Sequence, residues 1–187
     1  MHFFKITYCL IAGLMMAGCE TARPIHVERY VSNPSTLQAL LKSPATSVSV
    51  GKIENGVGIE TTLDCLNEGI PFPDLATAGD YIRSGLIAEL SNADQFEVNA
   101  TNSIAGSVVV AELTFERKIM LAAHGGTWNF EVNLTSTNGQ SMTVKSSHSY
   151  HTGYAPIRCN IAADYLMPAI QTLIYDIVRT PDFQKLF

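Results

Sequence analysis

The residues able to do chemistry in this chain are few: four cysteines, Cys9, Cys19, Cys65 and Cys159, five histidines and a thin scatter of acids. A cysteine offers a thiolate nucleophile or a disulfide partner, a histidine a proton carrier or metal ligand. His148 and His151 stand three apart among Ser, Thr and Tyr, a composition that favours a strand. In a strand that spacing puts them on opposite faces, and no cysteine or carboxylate stands near them at ligand spacing, so no metal site is expected. His124-Gly125-Gly126 reads as a loop. The chain has neither a Gly-x-Ser-x-Gly elbow nor a Gly-rich phosphate loop ending in Lys-Ser/Thr, which takes support from hydrolase and nucleotide readings. Asp74, Asp80 and Glu89 could be imagined as paired acids, but Asp80 suits a helix cap and Glu89 falls on an expected wet face. The reading is of a chain with no catalytic residue, cofactor or metal.

The cysteine with the most informative neighbours is Cys19. Residues 1–18 have the parts of an export leader: Lys5, an apolar run over 6–16, and the small pair Ala17-Gly18. The run is too short to cross a bilayer as a helix, which takes about 20 apolar residues, and reads as a removable segment. Met16-Ala17-Gly18-Cys19 resembles the lipobox of bacterial lipoproteins, with Met where Leu is commoner. The resemblance implies cleavage before Cys19 and a thioether-linked diacylglycerol on its sulfur. Several acyl chains hold a protein stably at about 0.8 kcal/mol per buried CH₂, so the membrane is the first expected partner. By resemblance to enterobacterial lipoproteins, Glu20 rather than Asp after the cysteine implies delivery to the outer membrane, facing the periplasm.

With Cys9 removed in the leader and Cys19 acylated, Cys65 and Cys159 remain, and they can pair in one way. In an oxidising periplasm such a pair is expected to form a structural disulfide, with two separate buried thiols as the alternative. The spacing is wrong for a Cys-x-x-Cys redox motif. After the leader, 11 basic residues face 17 acidic ones, a balance without the basic surplus that nucleic-acid binding needs. Over the full chain, hydrophobic residues at 47% against 16% charged point to a folded rather than a disordered protein.

The elements that position these residues follow from pattern. Residues 19–45 carry Pro24, Pro34 and Pro44 and one short helical patch at 36–42, capped by Asn33 or Ser35; this reads as a tether. Residues 46–187 read as one domain. A strand is expected over 47–53, then an irregular Gly/Pro-rich loop over 54–76 held by Cys65. Thr77 and Asp80 open a helix over 77–93, with Ile82, Leu86 and Leu90 inward and Arg83, Glu89 and Asn92 in water. Short strands are expected at 96–98 and 107–115, the latter with Val109, Ala111, Leu113 and Phe115 on one face. Trp128, Phe130, Val132 and Leu134 alternate with polar residues, then Asn138-Gly139, then Met142 and Val144 alternate again: a β-hairpin with a type I′ turn and Trp128 in the core. A closing amphipathic helix spans 158–179, broken near Pro168 and stopped by Pro181, with Phe183, Leu186 and Phe187 folding back.

The order of elements predicts an α+β fold, an antiparallel sheet of four to five strands with two long helices on one face. The lipobox, the helix Tyr81-Ile82-Arg83-Ser84-Gly85-Leu86-Ile87-Ala88-Glu89-Leu90, the hairpin and the closing helix together resemble small proteobacterial outer-membrane lipoproteins, including YajG-type proteins and auxiliary lipoproteins of ABC-type envelope transport systems. The resemblance implies a lipid-anchored, non-catalytic component that docks another envelope protein. The alternative is a binding module for a lipid, glycan or peptidoglycan fragment, which would need a cavity between helices and sheet.

Overall fold

The computed structural model describes residues 24–43, 46–116, 124–153 and 158–187. The leader and Cys19 lie outside the described residues. A four-stranded sheet in the order β1-β4-β5-β6 forms from Ser49–Asn55, Ser103–Glu116, His124–Ser136 and Ser141–Gly153. A separate two-stranded sheet pairs β2, Thr62–Cys65, with β3, Glu68–Pro71. Helices α2, Ala78–Asn92, and α4, Leu166–Arg179, cover one face of the large sheet, so the expected α+β class is observed.

One strand pair departs from the antiparallel expectation. β1 runs parallel to β4, from Ser49 opposite Ser103 to Asn55 opposite Val108. The chain between them passes through α2, the kind of long crossover that returns a strand in the same direction; a hairpin cannot do so. The short strand expected at 96–98 shrinks to a single bridge between Val48 and Phe96.

Capping sets the start of α2. Thr77 Oγ1 accepts the Asp80 N–H at 3.1 Å, and Asp80 Oδ2 accepts the Thr77 N–H at 3.1 Å. The Thr77 hydroxyl, donating to Asp80 Oδ2 at 2.8 Å, and then the Thr77 N–H favour the charged form and hold the Asp80 carboxyl below its ordinary value. Thr77→Ala is expected to cost about 1 kcal/mol in urea unfolding, the usual worth of a helix cap. Further along, a Cβ on Gly85 would meet Ile174 Cδ1 and the Tyr30 ring, so glycine there lets both side chains lie close against α2.

The β5–β6 hairpin follows the alternation: Trp128, Phe130, Val132, Leu134, Met142 and Val144 are all buried. Its turn is not type I′. The Ser136 carbonyl accepts the Gly139 N–H at 2.9 Å across Thr137 and Asn138, and only Gly139 has positive φ, at 87°. A corner followed by a left-handed glycine is the commonest longer hairpin loop. Asn138 is instead occupied in holding the chain end, donating to the carbonyls of Lys185 and Phe187.

The closing helix restarts as expected. A short helix α3, Cys159–Asp164, ends at Tyr165, and α4 begins at Leu166. Pro168 lacks the N–H that would reach the Asp164 carbonyl. Leu166, Ile170, Leu173, Ile174 and Ile177 are wholly buried against the sheet, and Phe183 and Leu186 fold back onto the core.

Candidate functional site

The segment expected to be irregular at 54–76 contains the β2–β3 hairpin, with Leu63, Cys65 and Ile70 buried and Asp64, Glu68 and Gly69 exposed. Its turn residues Leu66 and Asn67 both have positive φ, 52° and 71°. That is hairpin-turn geometry with leucine in a place where glycine or asparagine is usual, so the sequence carried little turn signal. Cys65 ends β2 and is bonded to Cys159 at the start of α3, with their Cα atoms 5.8 Å apart. The bridge ties the hairpin to the closing helix beside Trp128, whose indole N–H donates to the Ala162 carbonyl at 3.1 Å.

Residues 24–43, read from sequence as part of a tether, are packed. Helix α1, Pro34–Leu40, is capped by Asn33, whose side chain accepts the Ser35 N–H at 2.9 Å. Val27, Thr36 and Leu40 are buried. Glu89, expected in water, has no exposed surface. Its Oε1 accepts from the Tyr30 hydroxyl and from the Asn33 N–H, both at 2.6 Å. Its Oε2 has no hydrogen-bond partner among the described residues. Tyr81 donates to the Glu28 carbonyl at 2.7 Å, Asn92 to Ser32 at 2.7 Å, and Gln171 of α4 to the Val31 carbonyl at 2.6 Å. Burial first, and nearby acids second, push the Tyr30 and Tyr81 hydroxyls well above their ordinary values. Residues 28–33 are therefore strapped to α2 and α4.

The other singled-out residues are not brought into one site. Asp80 caps α2, Glu89 is sealed under residues 30–33, and Asp74 pairs with Arg29 in solvent. His148 and His151 fall on opposite faces of β6 as expected, His151 exposed and His148 beside Thr172 Oγ1 at 3.0 Å, where burial lowers the imidazole below its ordinary value. No group of three metal-ligating side chains occurs among the described residues. His124-Gly125-Gly126 opens β5 instead of forming a loop. The missing side chain at Gly126 makes room for the Tyr150 ring, which stacks on Tyr165 at 4.5 Å. Burial pushes the Tyr150 hydroxyl up to about 12.

The described cavities lie at the rim. A groove of about 440 Å³ runs between the β2–β3 hairpin and β4, lined by Glu60, Leu63, Asp64, Glu68 and Ala111 among others. A hollow of about 130 Å³ sits between Leu40, Gln95, Phe183 and Phe187. Two more, of about 380 and 420 Å³, flank the Arg29–Asp74 pair. Between Trp128, Leu166 and Ile170 the core is closed, all three having no exposed surface. A ligand carried between helices and sheet has no room there.

No protein-family model and no curated protein matches this chain. Among solved structures it is similar to a DUF330-family protein from Xanthomonas campestris, at 11% identity and TM-score 0.45, covering 86% of this chain and 91% of that one. It is also similar to a minor lipoprotein from Acinetobacter baumannii, at 14% identity and TM-score 0.42, covering 77% and 96%. A third is the PelC dodecamer from Paraburkholderia phytofirmans, at 14% identity and TM-score 0.37, covering 81% and 96%. Likeness at these scores transfers neither role nor residues.

Proposed function

We propose that this protein is a lipid-anchored, non-catalytic component of a bacterial cell envelope, held at the outer membrane through acylated Cys19 and acting by docking another envelope component. The observation that carries the reading is the sequence Met16-Ala17-Gly18-Cys19 directly after an apolar leader. Two further features support it. A disulfide between Cys65 and Cys159 suits an oxidising compartment such as the periplasm. The side chains that invite a catalytic reading, Asp74, Asp80, Glu89 and His148, each have a local structural task. The layout of lipobox, helix, hairpin and closing helix resembles YajG-type and transport-auxiliary lipoproteins, and supports an auxiliary role in an envelope assembly or transport system.

Cys19→Ser tests the anchor. The wild-type protein is expected in the outer-membrane fraction with an N-terminal peptide that begins at residue 19 and carries the mass of a diacylglycerol. The variant is expected to lose that mass and to move out of the detergent phase. Recovery of a wild-type chain beginning at Met1, or of an unmodified thiol at position 19, would end the proposal. Crosslinking in intact cells then tests the docking role, which is abandoned if no envelope protein is captured on repetition.

A further inference from the structure

We propose that the unpaired margin of β4, residues 110–116, receives an extended, lysine- or arginine-bearing peptide segment of a partner protein as an added strand. The inference rests on the docking role above and names the surface and the kind of partner. β1 ends at Asn55 opposite Val108, and the Gly56 N–H makes one last bond to the Val108 carbonyl at 2.8 Å before the chain turns away. β4 continues to Glu116, paired on its other side with β5 as far as Gly125. Among the described residues no strand pairs with the margin that β1 has left; β2 packs close to β4 without hydrogen-bonding to it as a strand. Seven residues there span about 23 Å and leave alternate N–H and C=O groups facing outward, the template that strand addition uses.

Side chains beside this margin point to the same missing neighbour. A bulge between Val108 and Val110 shifts the register, so that Ala111 faces Phe130 and Leu113 faces Trp128 across the pair. Ile104 and Val108, under the part covered by β1, have no exposed surface, whereas Ala111, Leu113 and Phe115 are only partly buried. Val109, on the bulge, is exposed. The groove that meets this stretch at Ala111 is lined by Glu60, Asp64 and Glu68 on the hairpin side, with no lysine or arginine among its described lining. An occupant with basic side chains meets that charge and an apolar one on alternate positions covers Leu113 and Phe115. The opposite margin of the sheet, β6, differs in carrying α4 over its inner face and a lysine on its strand. On β6, Ser146 donates to Asp176 at 2.6 Å and His148 meets Thr172, both on α4, while Lys145 stands on the strand itself.

The test uses the full processed protein, purified from membranes in detergent, and a seven-residue peptide of alternating valine and lysine with both ends blocked. Hydrogen exchange is followed by mass spectrometry. The peptide is expected to slow exchange across 110–116. The same peptide N-methylated at alternate positions is expected to give no protection. Neutralising three exposed acids together, Glu60→Gln, Asp64→Asn and Glu68→Gln, is expected to weaken binding by about tenfold at low salt, the sum of three modest surface charge pairs. Protection at 141–153 instead, equal protection by the N-methylated peptide, or no protection at millimolar peptide would overturn the proposal. Concentration-dependent protection of 110–116 without peptide would assign the margin to a second copy and overturn it as well. The readout does not depend on acylation, so failure here and failure of the anchor at Cys19 are told apart.

Discussion

Replacing Cys65 and Cys159 together by alanine is expected to lower stability by about 4–5 kcal/mol. The bond spans 94 residues, and the entropy of closing a loop of that length in the unfolded chain gives a figure of this size, with native strain acting to reduce it. Both positions are buried, so alanine adds a small loss of packing. For a body of this size the change corresponds to a fall in melting temperature of roughly 10–15 °C. The measurement is thermal or urea unfolding of the double variant beside the wild type, each with and without reductant. Reductant should lower the wild type toward the variant and leave the variant unmoved. Equal midpoints for oxidised and reduced wild type would contradict a stabilising bridge.

Glu89→Leu is expected to cost about 3 kcal/mol. The substitution leaves the Tyr30 hydroxyl and the Asn33 N–H, both now donating to Oε1, without an acceptor in a place closed to water. Each stranded donor costs about 1–3 kcal/mol. Glu89→Gln keeps a carbonyl oxygen for the same two donors and should cost less than half as much. Tyr30→Phe combined with Glu89→Leu should recover part of the loss, because the hydroxyl is removed with its partner. Since the contact ties residues 30–33 to α2, Glu89→Leu should also expose residues 24–33 to limited proteolysis before the rest of the body unfolds. Wild-type stability and protease resistance in Glu89→Leu would contradict this account.

Where one kind of local regularity decides an element, the sequence told enough. The β5–β6 hairpin shows strict alternation, α2 shows its cap, and the break before Leu166 is set by Pro168. The disulfide was legible because only two cysteines remain once the leader and Cys19 are set aside. What escaped depends on contacts distant in the chain. Glu89 lies on the side of α2 that would face water if residues 28–33 were absent, and nothing in the periodicity of α2 announces that those residues return to cover it. The β2–β3 hairpin turns on Leu66, which gives none of the usual turn signal. Val109 breaks the apparent phase of β4 because the bulge exists only in relation to the partner strand. The unpaired margin of β4 is invisible in sequence for a similar reason: it arises from β1 ending at Asn55 while β4 runs on past Val108, a difference in length between two strands distant in the chain.

The strapping of residues 24–43 has a bearing on where an acylated protein could work. Only residues 20–23 separate Cys19 from Pro24, and five chain steps drawn out straight reach about 18 Å. If Cys19 carries the lipid proposed above, a body moored on so short a line can swivel but cannot move far from the bilayer. A partner of the anchored protein so proposed would have to come to the lipid surface to meet it.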